Sequence, residues 1–225
     1  MPDPRLGVHA MVEGTDVIIA SNDNWSTGSQ AAELPALFAA VGAFPLPDTT
    51  SRDAALLAPI GGLATVHITS TQPDQSGVVL VEAYDTTDEN TPRLINVSAR
   101  NFAGTDAETL VAGFVIDGNT PKRLLIRGVG PTLASKFGLT GVLPDPQLEV
   151  HTRINDTDTV VATNDNWGTE PGVTDAAQLA GAFTLDADSN DAAIIATLPA
   201  GAYTVHVAGT NGGTGEALIE IYELP

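Results

Sequence analysis

The sequence predicts an all-β chain: two β-sandwich, jelly-roll-like units related by internal duplication, with a short helix in each. Three observations carry that prediction. The first is a repeat. Ser21-Asn22-Asp23-Asn24-Trp25 returns as Thr163-Asn164-Asp165-Asn166-Trp167, and its flanks return with it. Pro2-Asp3-Pro4 aligns with Pro144-Asp145-Pro146, Asp53-Ala-Ala-Leu-Leu-Ala58 with Asp191-Ala-Ala-Ile-Ile-Ala196, Thr65-Val-His-Ile68 with Thr204-Val-His-Val207, and Gly77–Tyr84 with Gly215–Tyr222. Self-similarity of this length, about eighty residues, is the mark of a duplicated structural unit. The second is composition. Apolar residues make up 43% but aromatics only 5%, with 22 Gly and 15 Pro, which favours many short strands joined by tight turns. The third is alternation of apolar and polar residues in the repeated segments.

Bulk charge narrows the partners. The 225 residues hold 28 acidic and 9 basic side chains, a formal charge of −19. Such a field repels nucleic acid and anionic membranes and favours cations, basic partners or solubility in a salty medium. No cysteine is present, which excludes disulfides, thiolate metal sites and cysteine nucleophiles. No run of 18 apolar residues occurs, so no membrane insertion is expected. Met1 stands where Leu143 stands in the second copy. It reads as the start codon of an excised fragment, with the export signal elsewhere.

Taken in order, Leu6–Val12 alternates, Glu13–Asp16 turns, and 17–20 returns, a hairpin. Asn22-Asp23-Asn24 is a polar turn, since Asn and Asp side chains bond nearby backbone. Residues 28–44 follow the helical period, with Pro35 confined to the first turn, and Pro45 and Pro47 end the segment. The second copy has a shorter helix at Thr174–Ala182. Strands follow at 54–58, 64–69 and 78–84, with counterparts at 192–198, 202–208 and 217–222. The boundaries are a first copy over 1–85, a linker over 86–92 and a second, fuller unit over 93–225. Residues 93–143 occur once: a strand at 93–100, a central strand at 110–116, a third at Lys122–Val129, and a helical turn at 131–137. The second unit then counts eight strands, close to a jelly roll, and the first only five. Either five strands and a helix suffice, or a preceding segment supplies the missing strands, or 93–143 is a separate spacer. A truncated sandwich would expose unpaired edges.

The run Val-Ala-Thr-Asn-Asp-Asn-Trp167, then Asp191-Ala-Ala-Ile-Ile-Ala-Thr-Leu-Pro-Ala-Gly-Ala-Tyr-Thr-Val-His-Val207, then Gly212-Gly-Thr-Gly-Glu-Ala-Leu-Ile-Glu-Ile221, resembles the bacterial pre-peptidase C-terminal (PPC) domain. The resemblance covers 144–225 well and 2–85 more loosely, because 58–65 reads Ala-Pro-Ile-Gly-Gly-Leu-Ala-Thr and lacks the hairpin tyrosine. The whole unit also looks like a repeat of very large bacterial surface proteins. The resemblance implies an extracellular β-sandwich, non-catalytic, of a kind that in some members binds calcium and in others attaches enzymes to polymers.

Calcium is the cofactor to weigh. Asn22, Asp23 and Asp53, with Asn164, Asp165, Asp188 and Asp191, offer the hard oxygens that calcium prefers. The loop 186–191 fails as an EF-hand, having Asp191 where Gly is needed and Thr197 where Glu is needed. Arg52 would oppose a cation in the first copy. The alternative is that these side chains cap turns and strand ends. Trp25 and Trp167 are sugar-stacking platforms on one reading and core plugs on the other. The histidines pair by repeat, His9 with His151 and His67 with His206, and read as surface-facing strand residues, since zinc needs three or four converging ligands. Arg93, Arg100, Arg123 and Arg127 cluster in the single-copy segment, either as a docking face for an acidic neighbouring repeat or as ordinary solvated strand faces. Gly128-Val-Gly130 lacks the rest of a dinucleotide site, and no hydrolase or P-loop motif appears. The expectation is a non-enzymatic, extracellular or cell-surface module, structural or adhesive, partnered by neighbouring repeats. A polysaccharide-binding accessory module is the alternative.

Overall fold

Strand β1 (Pro4–Val12) folds onto β2 (Thr15–Asn22) through Glu13 and Gly14, both at positive φ (50° and 80°). Two positive-φ residues give the turn whose twist suits flanking strands. The second strand thus starts two residues closer to the tip than the alternation suggested, while the first ends at Val12 as expected. The second copy repeats the device: β7 (Pro146–Ile154) and β8 (Thr157–Asn164) are joined by Asn155 and Asp156 at 50° and 62°. Both hairpins carry the same bulge, between Val8 and His9 and between Val150 and His151. The duplication therefore extends to backbone irregularities.

The computed structural model describes residues 1–46, 48–86 and 94–225. Pro47, Arg93 and most of the expected linker, 87–92, lie outside the described residues. The chain divides into two compact units, Met1–Arg93 and Leu94–Pro225.

The second unit is an eight-stranded sandwich. The single-copy segment supplies β4 (Asn96–Ala103), β5 (Leu110–Ile116) and β6 (Lys122–Val129), then the short helix α2 (Pro131–Phe137). The repeated part adds β7, β8, helix α3 (Val173–Ala180), β9 (Ala192–Leu198), β10 (Gly201–Gly209) and β11 (Gly215–Glu223). One sheet has the order β5-β10-β7-β8 and the other β4-β11-β6-β9. Leu148, Val150, Val205 and Val207 of the first sheet meet Leu124, Ile126, Ala217 and Ile219 of the second, all buried. A second cluster lies on the outer face of the β6 sheet, where Leu125 and Ala193 pack under Val173, Ala176 and Ala177 of α3. Strand β6 is covered on both faces. That explains its unbroken Leu124-Leu125-Ile126, since a strand buried on both sides loses alternation.

The first unit has the hairpin, helix α1 (Leu34–Val41) and β3 (Ala64–Ser70), in the sheet order β2-β1-β3. Pro35 sets the start of α1, so the residues from 28 to 33 are turns rather than helix. The expected strands at 54–58 and 78–84 are not strands here. The second unit gives the reason. Strand β9 pairs only with β6, and β11 lies between β4 and β6. Their counterparts in the first copy have the sequence of strands and no β6 between them. The aliphatics of 78–84 are accordingly open, with Val79 38% and Val81 46% exposed, where their counterparts Ala217 and Ile219 are both 0%.

Gly130, between β6 and α2, is approached so closely that a Cβ there would stand 2.0 Å from the Leu143 carbonyl oxygen. Backbone cannot yield as a flexible side chain does. Gly130→Ala is expected to destabilise the second unit by more than about 2 kcal/mol. Urea unfolding followed by Trp167 fluorescence is the measurement.

Candidate functional site

The repeated Asn-Asp-Asn-Trp turn is a clamp on the strand that follows the helix. Asn164 Oδ1 accepts from Ala193 N at 3.0 Å, and its Nδ2 donates to the Asn166 carbonyl at 3.2 Å. Asn22 does the same with Ala55 N (3.1 Å) and the Asn24 carbonyl (3.2 Å). The backbone joins in, with Trp167 N bonded to the Asp191 carbonyl at 2.8 Å and Trp25 N to the Asp53 carbonyl at 2.9 Å. Each asparagine thus spends its oxygen on a backbone amide.

The residues singled out as metal ligands do not gather. Asp23, Asp53, Asp165 and Asp188 are exposed, whereas Asp191 is fully buried. The Asp191 carboxylate accepts from Gly130 N (2.8 Å), Ser189 Oγ (2.6 Å), and both the amide and hydroxyl of Thr132. It ties the start of β9 to the end of β6 and the first turn of α2, and four donors leave no lone pair for a cation. Among the described residues, no three His, Asp or Glu side chains converge as a metal site. This donor set does not fit a shared calcium ion. Asp186 instead receives Ser135 Oγ and stands 3.5 Å from Lys136 Nζ, so the acidic loop anchors α2. Arg52 pairs with Asp3 at 2.6 Å. The Asp3 carboxyl is held below the usual range by the Thr71 hydroxyl and this arginine.

Neither tryptophan offers a free face to stack a sugar. Trp25 is 5% exposed, with its ring 6.4 Å from Phe38. Trp167 is half-buried against the α3 cluster and donates to Ser189 Oγ at 3.1 Å. A pocket beside Trp25, lined by Asn22, Gln30, Leu34 and Leu56 among others, has a volume of about 90 Å³. Small-molecule sites begin near roughly 300 Å³.

Two arrangements were missed by the sequence reading. Arg127, expected on a solvated or docking face, is fully buried. Its Nε donates to Glu220 Oε2 at 2.9 Å, a second nitrogen reaches the same oxygen, and Nη1 donates to the Phe183 carbonyl at 2.5 Å. The guanidinium lies 4.2 Å from the centre of the Phe183 ring, and Tyr222 closes the network by donating to Glu220 Oε1 at 2.6 Å. Burial, then the Glu220 charge, raises the Tyr222 hydroxyl pKa. Two desolvated charges are tolerated because their donors and acceptors find partners. The signal was present: each charge interrupts an apolar run, Leu-Leu-Ile-Arg127 and Ala-Leu-Ile-Glu220. Arg100 and Arg123 are exposed.

The histidines were expected to face solvent; His67 is exposed, His9 and His206 are half-buried and His151 is buried. They stack in pairs, His151 on His206 at 4.0 Å and His9 on His67 at 4.2 Å. A carboxylate holds one Nδ1 in each pair, Asp158 at 3.0 Å and Asp16 at 2.8 Å. The pairs sit where β10 meets β7 and where β3 meets β1, so they are cross-strand contacts of the duplicated core.

No family model matches the chain, and no curated protein does. Among solved structures, the chain is similar to the pre-peptidase C-terminal domain of a collagenase from Bacillus anthracis, at 13% identity and a TM-score of 0.34, over 59% of this chain and 98% of that one. It is also similar to the VP2 subviral particle of infectious bursal disease virus, at 12% identity and a TM-score of 0.25, over 98% of this chain and 56% of that one.

Asn164→Ala leaves the amide of fully buried Ala193 unpaired and is expected to cost about 1–3 kcal/mol. The urea midpoint checks it. His206 supplies a pH dependence. Burial, and then the charge of His151, lower its pKa from the ordinary 6.5. A base whose folded pKa is depressed binds its proton more readily when unfolded. Its stability contribution is therefore full above 6.5 and declines as pH falls below it. Between pH 7 and pH 5, wild type is expected to lose more stability than His206→Gln, by the difference in their urea midpoints.

Proposed function

We propose that the chain is a non-catalytic structural module of a bacterial protein that works outside the cell, PPC-like in its second unit and built to be repeated. One observation carries this reading: what the duplication retains is scaffolding. The Asn22 and Asn164 clamps, the stacked histidine pairs and the matching hairpin bulges recur with the same partners. Each ties a strand to a neighbouring segment of the duplicated unit. The buried charged groups Arg127, Glu220 and Asp191 are likewise spent on joining strands, and a catalytic acid or base needs a face open to substrate.

The polar turns act as strand-end caps in this reading, and the tryptophans as core plugs. Location outside the cell is supported by the resemblance of 144–225. The neighbours that such a module touches are further repeats.

The test is a thermal melt of metal-stripped protein with and without millimolar calcium, repeated with soluble polysaccharides. The expected shift is below about 2 °C in every case, since a ligand that binds only the folded state must raise the midpoint by mass action. A rise of many degrees with calcium, abolished by Asp23→Ala with Asp165→Ala, would replace the cap reading with a metal-stiffened one. A rise with a glycan would replace the structural role with polymer binding.

A further inference from the structure

The first unit keeps, exposed, the groups that in the second unit hold β6 and α2. Glu220 and Tyr222, which grip Arg127, align with Glu82 and Tyr84, and these retain the same bond: Tyr84 donates to Glu82 at 3.0 Å. Phe183, whose ring and carbonyl face Arg127, aligns with Phe44, which is 53% exposed. Asp191 aligns with Asp53, exposed and without a side-chain partner among the described residues. Ser189, which donates to Asp191, aligns with Ser51, whose hydroxyl is buried and unpaired. Even the approach of the chain matches. Met1 N bonds the Val78 carbonyl at 2.9 Å, as Leu143 N bonds the Glu216 carbonyl at 2.8 Å.

The backbone edge is equally ready. The Ala193 amide points at Asn164, away from β6, so the opposite edge of Ala192, Ile194 and Ala196 takes Gly128, Ile126 and Leu124. In the first copy Asn22 takes the Ala55 amide, and the Gln30 side chain takes both the amide (2.9 Å) and the carbonyl (2.7 Å) of Leu57. That is the outer edge. Ala54, Leu56 and Ala58 on the inner edge make no backbone hydrogen bond among the described residues. An unpaired edge beside open aliphatics and an unpaired buried hydroxyl is a receptor for an added strand.

We propose that the first unit accepts a strand–turn–helix segment with the chemistry of Lys122–Phe137, supplied by a further repeat of the same kind. The segment would place an arginine between Glu82, Tyr84 and Phe44. Three residues later its backbone amide would meet Asp53, followed by a threonine hydroxyl. Its strand would fill the gap between 54–58 and 78–84. Charge agrees: the donor pattern carries Lys122, Arg123, Arg127 and Lys136 and no acid, while the chain as a whole is at −19. This goes beyond the structural role proposed above, since a chain that refuses the segment can still be a structural module.

The test uses the full 225-residue chain and a synthetic peptide of residues 122–138. Saturable one-to-one binding is expected by fluorescence anisotropy. Replacing the peptide's arginine (Arg127→Gln) should weaken it at least about tenfold, the loss of one buried charge-paired hydrogen bond. Glu82→Gln in the chain should weaken the native peptide similarly. Hydrogen exchange should show new protection at 54–58 and 78–84 and none at 192–198. A fusion of residues 94–143 directly ahead of Pro2 provides the same test without free peptide, with the same two segments protected. Absence of protection in both formats would overturn the proposal. So would a peptide-free chain that sediments as a dimer with those segments already protected, because a second copy would then be the occupant.

Discussion

The arrangement on which the second unit depends is the seating of β6 between β9 and β11. Strand β6, like its neighbour β9, meets an apolar cluster on each face. Its backbone serves two neighbours, its leucines and isoleucine serve both layers, and its arginine reaches Glu220 and the Phe183 carbonyl at once. The polar fixings follow from that position. Asp191 can be buried only because Gly130 and Thr132 arrive at the end of β6 with their donors pointing at it. Remove β6 and the Asp191 and Glu220 carboxylates lose partners together. The first unit displays that condition: the same residues, exposed, with strand sequences that join no sheet among the described residues.

Much of the architecture was legible because duplication checks itself. A pattern seen twice in register, down to Val8-His9 and Val150-His151, is hard to mistake for chance. The eight strands of the second unit follow from alternation, whereas the first helix stops at Val41 with Gly42 in the left-handed region, before the prolines expected to end it. What alternation could not decide was whether a strand-like sequence becomes a strand. Residues 78–84 have the composition of β11 and not its partners, and a ladder needs two sides. The helix start was misplaced because Pro35, tolerated in a first turn, sets where that turn is.

The candidate site was read less well, for a physical reason. Asn and Asp oxygens suit a cation and a backbone amide equally, and sequence spacing does not say which is nearer. Asn164 meets Ala193 across 29 positions, and Asp191 meets Gly130 across 61. Arg127 and Glu220 are 93 residues apart. Such contacts are set by strand order, which a single sequence leaves open. Pattern gave one usable clue, that charges interrupting an apolar run are either exposed or paired with each other.

The side chain of Gln30 limits what can be added beside the 54–58 segment. By occupying both backbone groups of Leu57 it closes one flank of the 54–58 segment. A bare strand open on two flanks is a template that extends indefinitely, the route to fibres. A strand open on one flank can be filled once. The amide of a single glutamine thus leaves the 54–58 segment room for one added strand and no more.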